Sequence, residues 1–211
     1  YQFGENFKIP TKFFLNNAAN LLAPRETPQA TKKVNSAYAS ASFAYQDFLY
    51  VDLTSRNDWS STLGEDNRSY MYNSASVSAI VNSFIDPEQT VFNLLKIRAG
   101  YAQVGNDTDP YQLSQTFDVP GQGYFGLTTL SAPSIKLNPD LKPEQVTSVE
   151  FGIEGSMLGN RLNFDISIYD KETTDMIFNV PVAAATGFQF FKENVGKVSN
   201  KGVEITIGGR L

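Results

Sequence analysis

The stretch FGIEGSMLGNRLNFDISIY, residues 151–169, decides the fold. On either side of its central Gly159-Asn160 pair, apolar and polar residues alternate one by one, which is the pattern of a strand with one apolar face. Gly-Asn between two such runs is a hairpin turn signal. The stretch therefore predicts an antiparallel β-hairpin.

The register of this hairpin follows from matching its two apolar faces across the turn. The predicted partners are Met157 with Leu162, Gly155 with Phe164, Ile153 with Ile166, and Phe151 with Ile168. A slip by one residue would move every apolar side chain to the other face. The same register places Glu154 beside Asp165, and like charges face each other only where water is plentiful. We call the side that carries these two carboxylates the wet face, and the opposite side the apolar face.

The rest of the chain repeats the strand pattern, and no helical period of useful length is present. We predict about seven strands, most of them longer than the roughly five or six residues usual in soluble sheets. They lie near residues 32–45, 48–58, 70–84, 94–104, 147–158, 161–178 and 198–210.

The connections between these strands alternate in length. Gln46-Asp47 and Gly159-Asn160 are tight turns, and residues 86–93 form a modest connection. The long connections are 59–69, 105–146 and 179–197. Short turns at one end and long loops at the other are typical of outer-membrane barrels, whose long loops face outside. The predicted fold is all-β: an antiparallel up-and-down transmembrane β-barrel segment, about seven strands of a larger barrel.

The faces of the hairpin around Gln46-Asp47 stay open at this point. A two-residue turn there would place four aromatic side chains on the side that also carries Asp52 and Arg56. The four are Phe43, Tyr45, Phe48 and Tyr50. Aromatic residues clustered beside a short turn would suit the girdle that lines a membrane interface.

Composition excludes several classes of function. The 211 residues include 17 Lys and Arg against 22 Asp and Glu, a net charge of −5, so the basic stripe of a nucleic-acid-binding protein is missing. The chain has no His and no Cys, so it holds no Ser-His-Asp triad, thiol nucleophile or Cys/His zinc site. No run approaches 18 apolar residues, the length of a transmembrane helix.

Two groups of acidic residues invite a chemical interpretation, and each has a plainer one. Glu150, Glu154 and Asp165 suggest the carboxylate pair of a glycoside hydrolase, but they also fit as wet-face residues of a strand pair. Residues 106–109, Asn-Asp-Thr-Asp, suggest calcium binding, but the Gly and Glu that an EF-type loop needs are missing at their offsets. We expect no catalytic residue, no cofactor and no metal site.

Aromatic side chains in the longest loop are the candidates for ligand binding. They are Tyr111, Phe117, Tyr124 and Phe125. Such rings can stack on sugars or peptides, and loops on a rigid scaffold commonly carry function. The alternative is that these rings pack the loop against itself.

Short motifs in a fixed order carry a family resemblance. The most specific is RNDWSSTL at 56–63. The others are SYMY at 69–72, KIRAGYA at 96–102, VGN at 104–106, LNP at 137–139, LKPE at 141–144, EFG at 150–152, TDMI at 174–177 and NKGVE at 200–204. In these residues the chain resembles the SusC/RagA-type family of TonB-linked outer-membrane transporters of Bacteroidetes. The resemblance covers a middle portion of the barrel; nothing here resembles the family's signal peptide, TonB-contacting segment, plug or terminal strand.

The resemblance implies a function, stated here as an expectation. Residues 1–211 would form part of a TonB-dependent transporter barrel domain, with 1–31 as loop, 32–104 as strands, 105–146 as a long extracellular loop and 147–211 as strands. The protein would lie in the lipid of the cell outer membrane and import oligosaccharides or peptides. TonB, contacted through the missing N-terminal region, would supply the energy, and a SusD-like surface lipoprotein would cap the mouth.

Two alternatives remain open from the residues alone. A passive porin-like pore would use the same strands without a plug. A soluble carbohydrate-binding β-sandwich would show the same alternation, because a sandwich core selects one apolar face just as lipid does. Strand length and the asymmetry of the loops favour the barrel.

Overall fold

The computed structural model describes residues 4–9, 11, 18–21, 30–85, 88, 91–119, 127 and 129–210. Tyr1–Thr31 and Lys32–Leu211 form two compact units, each described by itself. In the first unit, β1 (Gly4–Phe7) pairs antiparallel with β2 (Ala18–Leu21). The expectation of plain loop over 1–31 is therefore wrong.

The second unit holds the remaining elements of the described residues. Their bounds are β3 (Val34–Tyr45), β4 (Leu49–Ser60), β5 (Ser69–Ile80), α1 (Asn82–Ile85), β6 (Phe92–Asn106), β7 (Ile135–Lys136), β8 (Glu144–Met157), β9 (Leu162–Thr174), β10 (Ile177–Pro181), a 3₁₀ turn (Ala184–Thr186), β11 (Phe190–Asn194) and β12 (Lys197–Gly209). No helix in this part of the chain is long and apolar enough to cross a membrane.

The seven long strands form one antiparallel sheet in the order β12-β9-β8-β6-β5-β4-β3. Long strands that are sequential in the chain are neighbours in the sheet, and the three short strands β7, β10 and β11 form a separate sheet. In the described residues β3 and β12 end the large sheet without pairing with each other. The predicted all-β barrel segment of about seven strands is confirmed.

The β8–β9 hairpin has the predicted register, with Gly155 opposite Phe164 and Ile153 opposite Ile166. Its connection occupies residues 158–161, and Leu158, Gly159 and Asn160 all have positive φ, of 57°, 64° and 62°. Gly adopts this left-handed backbone freely and Asn more readily than most residues. That preference is why the Gly-Asn pair marks the turn.

The apolar face forms continuous rows that cross all seven strands. The first row is Phe43, Val51, Val77, Ala99, Phe151, Ile168 and Val203, and the second is Tyr45, Leu49, Ala79, Ile97, Ile153, Ile166 and Ile205. Phe151 is 53% exposed and Ile205 is 63% exposed, so no second sheet of the described residues covers this face. A sandwich would bury it between two sheets, whereas a barrel leaves it to lipid.

Charged residues mark the end of the apolar face toward the long loops. Directly beyond the first apolar row, Lys201 Nζ lies 2.7 Å from Oδ2 of its partner Asp170. Two rows further along β12, Lys197 reaches back so that its Nζ lies 2.7 Å from Glu172 Oε2. The row of paired residues that contains Asp170 on β9 continues across the sheet to β4, where its member is the apolar residue Leu53. The apolar band therefore crosses the sheet obliquely, as expected where strands tilt in a barrel.

The predicted long loops contain further regular structure. Within 105–146, β7 pairs parallel with β11, and β8 begins at Glu144. The predicted strand at 161–178 is divided into β9 and β10 at Asp175, whose φ is 55°. A left-handed residue does not continue a ladder, so β10 pairs with β11 in the small sheet instead. Residues 147–211 thus contain a 3₁₀ turn and a second sheet as well as the expected strands.

Candidate functional site

The wet face of the large sheet carries a ladder of ion pairs. Glu154 lies beside Asp165, as the hairpin register predicts. β6 supplies a cation to each of them: Lys96 Nζ lies 3.5 Å from Glu154, and Arg98 donates two hydrogen bonds of 2.9 Å to Asp165. The two like charges can face each other because the neighbouring strand neutralises both.

Arg98 reaches β9 by crossing the backbone of β8. Its guanidinium lies over Gly152, where an added Cβ would be 2.6 Å from Arg98 Cζ. Its Nε also lies 3.5 Å from Glu150 Oε1. Glu150, Glu154 and Asp165 are therefore all held in ion pairs. These pairings fit the plainer interpretation, in which the three residues form part of a polar wall on the wet face.

A second polar cluster lies where β4 approaches the long loops. Asp58 is 5% exposed and accepts hydrogen bonds from Arg56 Nε at 2.8 Å and from the Tyr72 hydroxyl at 2.6 Å. The Arg56 guanidinium lies 5.9 Å from the centre of the Tyr72 ring, and Tyr70 stacks on Tyr72 at 6.1 Å. The motifs RNDW and SYMY thus provide the two halves of one cluster on neighbouring strands.

Asp107 joins three segments at the same end of the sheet. Its side chain is 6% exposed and accepts hydrogen bonds from Lys32, Ser60 and Thr62. Burial raises the pKa of the Asp107 carboxyl, but the hydrogen bonds from Lys32, Ser60 and Thr62 and the Lys32 charge outweigh it, so that this pKa lies below its ordinary value. Both carboxylate oxygens are engaged, so the Asn-Asp-Thr-Asp segment forms a structural junction. The described residues contain no group of three His, Cys, Asp or Glu side chains placed to hold a metal.

The segment 137–144, which carries the LNP and LKPE motifs, is tied to its surroundings at this end. Leu141 is fully buried, and Leu63, in the loop after β4, is almost fully buried. The Asn194 side chain accepts a hydrogen bond from the Lys142 N–H at 2.8 Å and donates one to the Lys142 carbonyl at 2.9 Å. The motif residues therefore fix the loops to one another and to the strand ends.

Two of the four predicted ligand-binding residues lie in the described part of the chain. Tyr111 is 67% exposed and Phe117 is 58% exposed. Within the described residues neither ring contacts another aromatic ring. Tyr124 and Phe125 lie outside the described residues. Ligand contact by these four side chains stays a prediction.

Sequence reasoning missed the two clusters at Asp58 and Asp107, although it quoted their residues in motifs. Part of the signal is present, because residues 56, 58 and 60 are spaced two apart and so share one face of a strand. Which residues of β5 lie opposite them, and whether Asp107 after β6 comes close, depends on how the long connections pack, and no periodic pattern records that.

The family described as "TonB dependent receptor-like, beta-barrel" matches residues 1–211, the whole chain. The chain belongs to this family. An open antiparallel sheet with one apolar and one polar face is a segment of the wall that such an outer-membrane barrel requires. The resemblance to SusC/RagA-type transporters is confirmed by the relatives that follow.

Three relatives show how much of a longer protein the chain represents. TonB-dependent receptor P39 from Formosa agariphila is 32% identical over 190 residues, 87% of this chain and 18% of that protein. TonB-dependent receptor SusC from Bacteroides thetaiotaomicron is 25% identical over 194 residues, 88% of this chain and 19% of that protein. The structure of the RagAB peptide transporter aligns with a TM-score of 0.86 and 25% identity, over 98% of this chain and 23% of its own. The chain spans about a fifth of the length of these relatives, which are named as receptors and transporters and not as enzymes.

Proposed function

We propose that this chain is part of an outer-membrane active transporter that imports glycans or peptides. TonB supplies the energy, and a SusD-like surface lipoprotein covers the mouth. The observation that carries the proposal is the single seven-stranded sheet, whose exposed face holds two uninterrupted apolar rows while its other face holds charged pairs. That combination suits a wall between lipid and a polar lumen.

The comparisons favour energised transport over the two alternatives. Membership of the TonB-dependent receptor family supports a driven importer rather than a passive pore. The similarity to the RagAB peptide transporter supports peptides as one class of cargo. The similarity to SusC supports the same transporter type. The uncovered apolar face argues against a soluble sandwich.

The long-loop end is the surface we assign to cargo and lid. Tyr111 and Phe117 are exposed there on a connection between barrel strands. With Tyr124 and Phe125 they would offer aromatic surface to a sugar ring, to a peptide side chain or to the lipoprotein. The clusters at Asp58 and Asp107 hold this end of the sheet in a fixed shape, which favours a defined contact surface.

Uptake in cells tests the transport proposal. The gene for the full-length protein is deleted, and uptake of fluorescently labelled oligosaccharide and peptide mixtures is measured with and without a functional TonB. Uptake of one of the two mixtures is expected to be lost in the strain without the gene and also in the strain without a functional TonB. Uptake that depends on the gene but survives the loss of TonB would identify a passive pore.

Purification from membranes tests the lid. The full-length protein carrying an affinity tag is isolated from detergent-solubilised outer membranes. A surface lipoprotein is expected at about one copy per transporter. Isolation of the transporter without any lipoprotein under mild detergent would remove the lid from the proposal and leave the transport function standing.

A further inference from the structure

A cavity of about 390 Å³ opens on the wet face between β3, β4, β5 and β6, toward their long-loop ends. Three large side chains form its wall, and three small hydroxyl side chains form its floor. The wall residues are Tyr38, Arg56 and Tyr72, and the floor residues are Ser40, Thr54 and Ser74; β6 adds the apolar side chains of Ala102 and Val104 to the lining. Its volume lies within the roughly 300–1,000 Å³ of small-ligand pockets.

The register of the sheet builds this cavity. The three wall residues are direct partners on adjacent strands, and the three floor residues form the next row on the same face. A row of large side chains beside a row of small ones leaves a step in the surface. Because all six residues lie within strands, the step has a fixed shape and does not depend on a loop.

The positive charge of the Arg56 guanidinium in the cavity wall is compensated by the carboxylate of Asp58. Arg56 donates from Nε to Asp58 at 2.8 Å and from Nη2 to Ser36 at 3.0 Å. Asp58 is itself buried and also accepts the Tyr72 hydroxyl. The wall therefore presents hydrogen-bond donors without a net charge. An anionic ligand would need cations that are not already paired.

Tyr38 gives the cavity an open aromatic surface. It is 79% exposed, and within the described residues its hydroxyl has no hydrogen-bond partner and its ring has no aromatic neighbour. A tyrosine ring combines an apolar face with a polar tip, which suits a ligand that is itself amphipathic. The floor adds the hydroxyl group of Ser40 and those of Thr54 and Ser74, which are hydrogen-bonded to each other at 2.5 Å and keep their remaining donor and acceptor capacity for a ligand.

A larger hollow of about 610 Å³ lies on the apolar face and is lined by side chains such as Val77, Ile97, Phe151 and Ile166. Its lining is almost entirely apolar, so it suits the acyl chains of the surrounding lipid. Of these two cavities, the smaller one on the wet face offers both an aromatic surface and hydrogen bonds.

We propose that the wet-face cavity is a binding subsite for one neutral pyranose ring of a glycan cargo. This inference rests on the proposed importer function and narrows its cargo to neutral oligosaccharides. The C–H face of the sugar stacks on the ring of Tyr38, and its hydroxyl groups bond to the floor hydroxyls and to the free N–H groups of Arg56. The charge balance between Arg56 and Asp58 selects a neutral sugar over an acidic sugar or an acidic peptide.

Ligand binding by the purified full-length transporter tests the subsite. The probes are an array of neutral oligosaccharides (glucans, xylans and mannans) and a set of neutral and acidic peptides. Binding of at least one neutral oligosaccharide is expected. Tyr38→Ala should weaken that binding about tenfold, the size expected for one lost aromatic contact. Tyr45→Ala, on the same strand but on the apolar face, is the matched control and should bind as the wild type does.

A second variant keeps the test decisive if Tyr38→Ala does not assemble. Ser40→Tyr leaves the wall in place and fills the floor, so it should weaken binding by at least the same tenfold factor. If the wild type binds peptides and no neutral oligosaccharide, the proposal of a sugar subsite is overturned. TonB-dependent uptake of peptides would in that case still support the importer function. Wild-type affinity in an assembled Tyr38→Ala or Ser40→Tyr variant would overturn the sugar subsite as well. Sugar binding at the cavity without TonB-dependent uptake would instead refute the importer function alone.

Discussion

The ring of Phe164 on β9 lies against the bare backbone of Gly155, its direct partner on β8. Because Gly155 has no side chain, the ring fills the space that a Cβ would take. The same arrangement occurs on the wet face, where Tyr169 covers Gly202 and Arg98 covers Gly152. In this sheet a glycine beside a large side chain on the next strand allows close packing of that side chain over the backbone.

Gly155→Ala should destabilise the barrel by about 1–3 kcal/mol, because the added methyl group overlaps the Phe164 ring and forces it aside. Gly100→Ala is the matched control: this glycine lies in the adjacent strand β6, and no atom lies within 4 Å of an added Cβ. It should change the free energy of unfolding by less than about 0.5 kcal/mol. Urea unfolding of the full-length transporter in liposomes measures both. Equal losses in the two variants would show that the ring contact is irrelevant.

Val77→Arg should destabilise the barrel by about 2–4 kcal/mol, because Val77 lies in the first apolar row, between Val51 and Ala99, where lipid is expected. Ser76→Arg places the same side chain one residue away on the wet face, directly opposite Asp52. That position should tolerate the charge, since opposite charges across a ladder attract. Unfolding of both variants in liposomes gives the comparison. A larger loss for Ser76→Arg would reverse our assignment of the faces.

The β8–β9 hairpin could be predicted from the sequence because only one register pairs its apolar residues with one another. The β3–β4 hairpin could not. In the structure Phe48 belongs to the turn, so Tyr45 pairs with Leu49 and Phe43 with Val51 on the apolar face. Tyr50 lies on the opposite face, so the expected group of four aromatic residues on one side does not form. One residue in a loop exchanges the faces of the whole following strand, and alternation alone does not report the length of a loop.

The cluster at Asp107 lay beyond sequence reasoning for a different reason. Its hydrogen bonds to Ser60 and Thr62 join residues 47 and 45 positions apart along the chain. Contacts of that range depend on how several loops pack at once. The Asn-Asp-Thr-Asp pattern indicated a turn or an ion site, and it contained nothing about Lys32 or the end of β4.

Asp107→Asn should cost about 1.5–3 kcal/mol at pH 7, because the variant loses a charged hydrogen-bond acceptor. The folded-state pKa of Asp107 lies below its unfolded value of about 3.9. The stabilisation is therefore complete above that value and is lost as the pH falls through the folded pKa. The difference in unfolding free energy between wild type and variant should stay constant from pH 7 to about pH 5 and shrink below about pH 4. Asp109→Asn controls for the change in charge. A difference that persists undiminished in stronger acid would exclude this carboxylate as its source.

Combined Tyr111→Ala and Phe117→Ala substitutions should reduce uptake or lid association about tenfold, a loss typical of aromatic residues at the centre of an interface. Barrel stability should not change, because both rings are exposed and their segment is anchored by other groups. The Gln115 side chain bonds to the backbone of Ile135 at 3.2 Å and of Leu137 at 2.9 Å.

Val119→Ala is the matched control for this last pair. Val119 is 61% exposed in the same connection and carries no ring. Uptake of labelled cargo and co-purification of the lipoprotein are compared across the variants, and unfolding in liposomes verifies assembly. The control should behave as the wild type does. If the doubly substituted transporter also took up cargo and held its lipoprotein normally, the two rings would serve only to cover the loop, and contact with cargo or lid would have to come from other residues of the long-loop end.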